Sequence, residues 1–376
     1  MPTPADDDAL QAWLRIHRTP GIGIRAVVRL LAAFGSPQTV LAASSASLRA
    51  AGIGEAASRA LADNRNLDVQ AELVWADQPQ RHIIPCDSPA YPRRLAELDD
   101  APVLLYAAGD VELLRHPQLA IVGSRHPTPG GRDNAYRFAH HLAAAGLGIT
   151  SGLALGIDGA AHEGALDARG ITVAVAATGL DRVYPARHHA LAERIAAEGV
   201  MISESPLGTS INRGAFPRRN RLISGLSLGV LVVEAARQSG SLVTARLGAE
   251  QGREVFAIPG SIHNPMARGC HHLIREGAKL VETADDIVAE LALRGALAPP
   301  PAPPPEPHAS APDARGGPDD DTQRELLEAM GYDPVSIDLL VERLGLTPEA
   351  VSSMLLILEL KGSVAAVDGG RYQRTP

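Results

Sequence analysis

Phe216-Pro217-Arg218-Arg219-Asn220-Arg221-Leu222-Ile223-Ser224-Gly225-Leu226-Ser227-Leu228-Gly229-Val230-Leu231-Val232-Val233-Glu234 reads as a helix feeding straight into a strand. Pro217 suits the opening turn of a helix, and Leu222, Ile223 and Leu226 then share one face at helical spacing. The run Val230 to Val233 is apolar without alternation, the pattern of a strand covered on both faces. Three arginines and an asparagine fall in or beside the helix's first turn. There the free backbone N–H groups and the positive end of the helix dipole favour an anion, and guanidinium forks add bidentate contacts. The spacing predicts Asn220 and Arg221 at a surface, turned away from the core, and Arg219 packed above the apolar stripe.

Outward from this unit, short apolar segments alternate with helix-length stretches. Strands are predicted at 119–122, 148–150, 171–176, 200–202, 230–233, 255–258 and 279–281. Such alternation marks a doubly wound, mainly parallel sheet with helices on both faces, an α/β fold of the Rossmann-like kind. Nearly every strand ends in a loop of glycine and hydroxyl residues, and in an open parallel sheet these loops converge on one crevice beyond the carboxyl ends of the strands. The candidate site residues on them are Gly123, Ser124, Arg125, Gly152, Gly156, Arg182, Arg187, Ser239, Gly240 and Thr244, with Phe216, Arg218, Asn220 and Arg221 from the arginine run. Glycines admit close backbone approach, hydroxyl and N–H groups suit phosphate oxygens, and arginines track a charged backbone. Phe216, in a chain with 3% aromatic residues, offers a platform for a base to stack on.

Other chemistries are poorly served. The chain has 376 residues and a formal charge of −8, so a polyanion must be met by a local patch rather than by bulk charge. Its only lysines are Lys279 and Lys361, and no Gly-Lys-Ser/Thr exists, which excludes a P-loop. The dinucleotide spacing Gly-x-Gly-x-x-Gly is missing after the first parallel strand, where Gly123-Ser124-Arg125-His126-Pro127 stands. Cys86 and Cys270 form neither a disulfide framework nor a metal cluster, and the adjacent histidine pairs 140–141, 188–189 and 271–272 are badly placed for joint ligation. No cofactor and no metal are expected. The acidic N-terminus has no apolar segment behind it and no run approaches the about 18 residues of a membrane span, so a cytoplasmic protein without membrane contact is expected. One enzymatic alternative stays open, a Rossmann-type nucleotide-processing enzyme of the phosphoribohydrolase kind. Glu204 and Glu234 follow strands, and Asp158 and His162 lie four apart on one helix; each of these has a capping or orienting role as its plainer alternative.

The flanks differ in character. Residues 10–64 read as short helices broken by Pro20-Gly21-Ile22-Gly23 and Gly52-Ile53-Gly54, turns that present N–H groups at helix starts. This looks like a paired helix-hairpin-helix module, a sequence-independent binder of DNA backbone; a small helical bundle with glycine turns is the alternative, since Glu55 follows the second turn. Proline-rich residues 296–318 read as a semi-rigid linker. Beyond them, helices predicted at 322–330, 336–344 and 348–360 and a hairpin at 362–372 make a winged helix. From 319 to 376 it carries five basic and eleven acidic residues, a balance of −6, which suits a protein contact or weak DNA role better than operator reading.

The run from about Tyr91 to Glu290 resembles the DNA processing protein A family (DprA, also called Smf). The matching phrases are Ile121-Val-Gly-Ser-Arg125, Ser151-Gly-Leu-Ala-Leu-Gly-Ile-Asp158 with His162, Thr178-Gly-Leu-Asp181 with Tyr184-Pro185, and Ser203-Glu204. Phe216-Pro-Arg-Arg-Asn-Arg221, Val233-Glu-Ala235 with Ser239-Gly-Ser-Leu-Val-Thr-Ala245, and Ile258-Pro-Gly260 complete the series. The departure is His271, where the family pattern carries asparagine. The resemblance implies a protein without catalytic turnover, a recombination mediator that binds single-stranded DNA, protects incoming DNA and loads RecA recombinase during natural transformation. It also implies a homodimer formed through the Rossmann domain. The expected domains are a helical helix-hairpin-helix (SAM-like) domain at 1–75, a Rossmann-like DNA-binding domain at 80–295, the linker at 296–318 and the winged helix at 319–376.

Overall fold

A computed structural model of the chain describes residues 4–211, 214–262, 264–293, 318–330 and 334–375; the linker expected at 296–318 lies almost wholly outside them. The central sheet has nine strands: β1 (Arg81–Pro85), β2 (Leu104–Gly109), β3 (Gln118–Val122), β4 (Gly148–Ser151), β5 (Thr172–Val175), β6 (Val200–Ser203), β7 (Gly229–Val232), β8 (Glu254–Ala257) and β9 (Lys279–Leu280). Their order is β1-β2-β6-β5-β4-β3-β7-β8-β9. All seven expected parallel strands are present, and β3 to β9 pair in parallel wherever they are neighbours. β1 and β2 pair antiparallel with each other, and β2 joins the sheet antiparallel to β6.

Each strand serves two cores because successive side chains point to opposite faces. From β3, Ala120 and Val122 face the helices Ala215–Leu226, Gly240–Glu250 and Arg268–Arg275, while Leu119 and Ile121 face Pro129–Ala144 and Ile157–Asp167. This explains the unbroken apolar runs: neither face of the strand meets water. The chain winds from β3 toward β6 on one side and from β7 toward β9 on the other. The switch point therefore falls between β3 and β7, and the loops at 123–128 and 234–240 open there.

The N-terminal helices, Pro4–His17 to Gln70–Ala76, pack Trp13, Leu14, Ile16, Leu30, Leu48 and Leu61 around a core that includes Tyr106 of β2. Gly21 and Gly52 occupy the positive-φ turns that the sequence implied, at 80° and 82°. The Cβ of a residue replacing Gly21 would lie 3.4 Å from Ala57, so the two hairpins sit against each other. The C-terminal unit holds helices Pro318–Met330, Ile337–Leu344 and Pro348–Leu360 and strands Val335–Ser336, Val364–Val367 and Arg371–Arg374, a winged helix as expected.

Candidate nucleic-acid interface

The loop after β3 and the first turn of the helix Ala215–Leu226 meet above the switch point. Arg125 leaves the loop with its guanidinium carbon 4.9 Å from the Phe216 ring centre, a cation–π stack. Tyr184, from the loop after β5, approaches Phe216 at 6.0 Å between centroids and is 46% exposed. The outcome is two aromatic rings and one guanidinium at the mouth of a cleft. Behind them lies a cavity of about 380 Å³ lined by Gly123, Arg125, Phe216, Asn220, Ser239, Gly240 and Thr244, and a smaller one of about 60 Å³ beside Gly152, Tyr184 and Phe216. The helix Gly240–Glu250 starts on this cavity, with Ser239 capping it through a bond from the Ser241 N–H at 3.3 Å. A side chain at Gly240 would meet nothing within 4 Å.

The arginine run divides. Arg218 lies outside, 67% exposed, its Nε and Nη2 donating to Glu204 at 3.1 and 3.0 Å. Arg219 is buried, and its Nη1 donates to the carbonyls of Gly152 and of Val175, the latter at 2.7 Å. Arg221 was expected at the surface on a phosphate track. It is instead buried, 9% exposed at its side chain, and bonds Glu204 at 2.6 Å and Asp100 at 3.4 Å. The physical reason is that a guanidinium two residues beyond Arg219 can still be enclosed when two carboxylates reach it, whereas a helical wheel counts it as polar and turns it outward. Arg182 and Arg187 line neither cavity. Arg182 pairs with Asp181 and donates to Ser210 at 3.1 Å, and Arg187 is exposed. Among the described residues, Arg125 and Arg187 have no carboxylate partner.

Several glycines expected to make room for a ligand make room for the protein instead. A Cβ at Gly152 would collide with the Arg219 guanidinium. One at Gly156, whose φ is 80°, would collide with the Ser124 carbonyl, and one at Gly123 would stand 2.7 Å from Ile157. Ser124 is tied down as well, its N–H donating to the Glu234 carbonyl at 2.7 Å. These residues set the shape of the loops that carry Arg125, and Gly123 and Gly152 also line the cavities.

The carboxylates that kept the enzymatic alternative open have structural employment. Asp158 accepts from the N–H groups of Gly152 and Ala154 at 3.1 and 3.3 Å; burial raises its pKa and the Arg219 charge opposes that. Burial likewise lowers the Arg219 guanidinium to about 10, with Asp158 opposing. Glu234 accepts from the N–H and hydroxyl of Thr128 at 2.9 and 2.7 Å, fixing the start of the helix Pro129–Ala144; burial pushes its pKa up. His162 bonds Thr172 at 2.7 Å, and burial pulls it down to about 3. His271 bonds the Gly260 carbonyl at 2.9 Å, so the residue that departs from the family pattern still anchors the loop after β8. Among the described residues, no group of three or more histidine, cysteine or acidic side chains is set to hold a metal, and no helix is long and apolar enough to cross a membrane.

A doubly wound domain whose switch-point crevice presents an arginine stacked between loop and aromatic ring, with a helical hairpin unit before it and a winged helix after it, defines a multidomain nucleic-acid-binding protein. The family model described as DNA recombination-mediator protein A matches residues 82–292, flanked by the DprA-like N-terminal HHH domain at 6–71 and the DprA winged helix domain at 298–370. The chain belongs to this family, also called DprA or Smf. It is 45% identical to Protein Smf of Escherichia coli over 80% of each chain, and 47% identical to DNA processing protein DprA of Streptococcus pneumoniae over 53% of this chain and 71% of that one. The solved structure of Streptococcus pneumoniae DprA superposes with a TM-score of 0.66 at 36% identity, covering 74% of this chain and 97% of that one. A second solved relative, at 33% identity and a TM-score of 0.50, covers 54% of this chain and 93% of the other; it is DNA processing protein A from Helicobacter pylori, described for its single-stranded DNA binding mode. Tyr184 joins the site although the sequence pattern placed it only within a family motif. Its signal was already present, as an aromatic in a loop that follows a parallel strand.

Proposed function

We propose that this chain is a single-stranded DNA-binding recombination mediator, which takes the strand in the crevice between the loop after β3 and the helix Ala215–Leu226. The observation that carries the reading is Arg125 stacked on Phe216 beside exposed Tyr184, because sequence-tolerant single-strand sites combine a stacking platform with a guanidinium that meets phosphate. A duplex offers no unstacked base to these rings. The Helicobacter relative is described as binding single-stranded DNA, which supports the same reading here. We include in the proposal protection of incoming DNA, loading of RecA during natural transformation, and a homodimer, which family membership supports. We also propose that the chain has no turnover: Glu204, Glu234 and Asp158, which lines the larger cavity, are each held by protein donors.

Fluorescence anisotropy with single- and double-stranded oligonucleotides, titrated with salt, tests the reading. Single strands should bind more tightly, with affinity falling as salt rises. Equal affinity for both forms would refute the strand preference. A nucleotide hydrolysis assay run alongside should stay silent; turnover abolished by Arg125→Ala or Glu234→Ala would favour the phosphoribohydrolase-like enzyme.

A further inference from the structure

We propose that Glu204 is an internal stand-in for a DNA phosphate: in the free protein its carboxylate fills the guanidinium fork of Arg218, and a phosphate must displace it, so this residue sets the affinity of the crevice. The inference rests on the single-strand reading above. Glu204 follows β6, at the carboxyl ends of the strands where ligands of such sheets are met. Its two oxygens take Arg218 Nη2 at 3.0 Å and Nε at 3.1 Å, the parallel two-bond geometry with which arginine also holds phosphate. While that pairing lasts, the edge of Arg218 best suited to phosphate is occupied.

The two ends of this contact are unequally fixed. The Glu204 side chain is 11% exposed, and the same Oε2 accepts from Arg221, itself held by Asp100. When Arg218 leaves, the carboxylate keeps Arg221 and is not stranded as a bare buried charge. Arg218 stands outside on a flexible stem, 67% exposed, so its end of the pair is open to water and easily exchanged. Arg125 at the crevice has no carboxylate partner among the described residues, whereas Arg218, on the adjoining cleft that it lines with Glu204 and His17, is kept in reserve.

Glu204→Gln keeps the shape and an acceptor for Arg221 while removing the charge. Measured by anisotropy against a fluorescent single-stranded oligonucleotide, it should tighten binding about two- to fivefold, the reach of one exposed ion pair. Its salt dependence should steepen by somewhat less than one unit, as expected for one added phosphate contact. In an Arg218→Ala background the same substitution should change nothing. Unchanged or weaker binding by a folded Glu204→Gln protein overturns the proposal. So does an equal gain in the Arg218→Ala background, which would reflect only general repulsion between Glu204 and DNA. Glu204→Asp shortens the reach to Arg218 but keeps a charge for Arg221, and it covers the case in which the glutamine variant fails to fold. It too should tighten binding, and no gain counts against the proposal. If the wild-type protein does not prefer single strands, or Arg125→Ala leaves binding unaltered, the crevice reading fails and takes this inference with it. If those two hold and Glu204→Gln binds no tighter, only the stand-in role is lost.

Discussion

The two sides of the helix Ala215–Leu226 treat the same residue type in opposite ways. At its exposed first turn, Phe216 stands at the crevice mouth, where Arg125 arrives from another loop to stack on the ring, while Arg218 reaches out over the adjoining cleft to Glu204. On the inner side, Arg219 reaches under the helix to two backbone carbonyls, and Arg221 is enclosed by Glu204 and Asp100. Three arginines in four positions are thus not one patch. A helix turns about 100° per residue, so a run of like charges is shared among different surroundings. A cationic surface is then assembled from single residues on several elements.

The sharpest break of this comparison is Arg219→Ala against Arg218→Ala. Losing the buried guanidinium leaves Asp158 enclosed without its opposing charge and should lower unfolding free energy by about 3–5 kcal/mol, read by urea denaturation. Arg218→Ala removes an exposed pair and should cost at most about 1 kcal/mol. Equal costs would erase the distinction between the two sides. Next in size, Phe216→Ala should weaken single-strand binding by about 1–3 kcal/mol, the worth of one stacked base, with the fold intact by circular dichroism. A binding loss no larger than that of a remote surface variant would remove Phe216 from the site.

A third prediction concerns the buried region alone. The folded His162 has its pKa lowered to about 3, whereas an unfolded chain binds the proton near 6.5. As pH falls through 6.5 the unfolded state gains a proton that the folded state refuses, so stability present above that pH is lost on acidification. Between pH 6 and 4 the slope from this one group approaches about 1.4 kcal/mol per pH unit. Comparison of urea midpoints with His162→Gln should show the wild type losing more stability over that interval; parallel curves would mean His162 takes up its proton within the fold.

Most of the fold was legible because the parallel strands are apolar without alternation, and both cores leave that mark in Val230 to Val233 and Leu119 to Val122. β1 and β2 were less visible. Tyr106 and its neighbours are covered by a separate helical domain, and no local pattern announces that cover. Within the site, exposed Arg125 and Arg218 and half-buried Phe216 were readable from their place after a strand or in a first helical turn. Arg221 was not, since its burial depends on Glu204 and Asp100, distant in sequence. A further reason for the glycines was hidden in a related way: Gly152 and Gly156 are required by Arg219 and the Ser124 carbonyl, partners that only the folded chain brings near.

The smallest effect is expected from removing residues 319–376. The winged helix touches the first turn of the helix Pro129–Ala144, where Gln373 Nε2 would lie 3.2 Å from a Cβ at Gly130, but none of its described residues lines the two crevice cavities. The truncated protein should stay folded and keep most of its single-strand affinity by anisotropy; a large loss would move part of the binding surface to the winged helix.

The central claim is that a strand is held where Arg125 and Phe216 meet, and the salt dependence of single-strand binding by Arg125→Ala tests it most directly. The variant should bind more weakly, with a slope of log affinity against log salt shallower by somewhat less than one unit for the one phosphate it no longer neutralises, while its stability moves by less than about 0.5 kcal/mol. Wild-type affinity and wild-type slope in the Arg125→Ala protein would contradict the account.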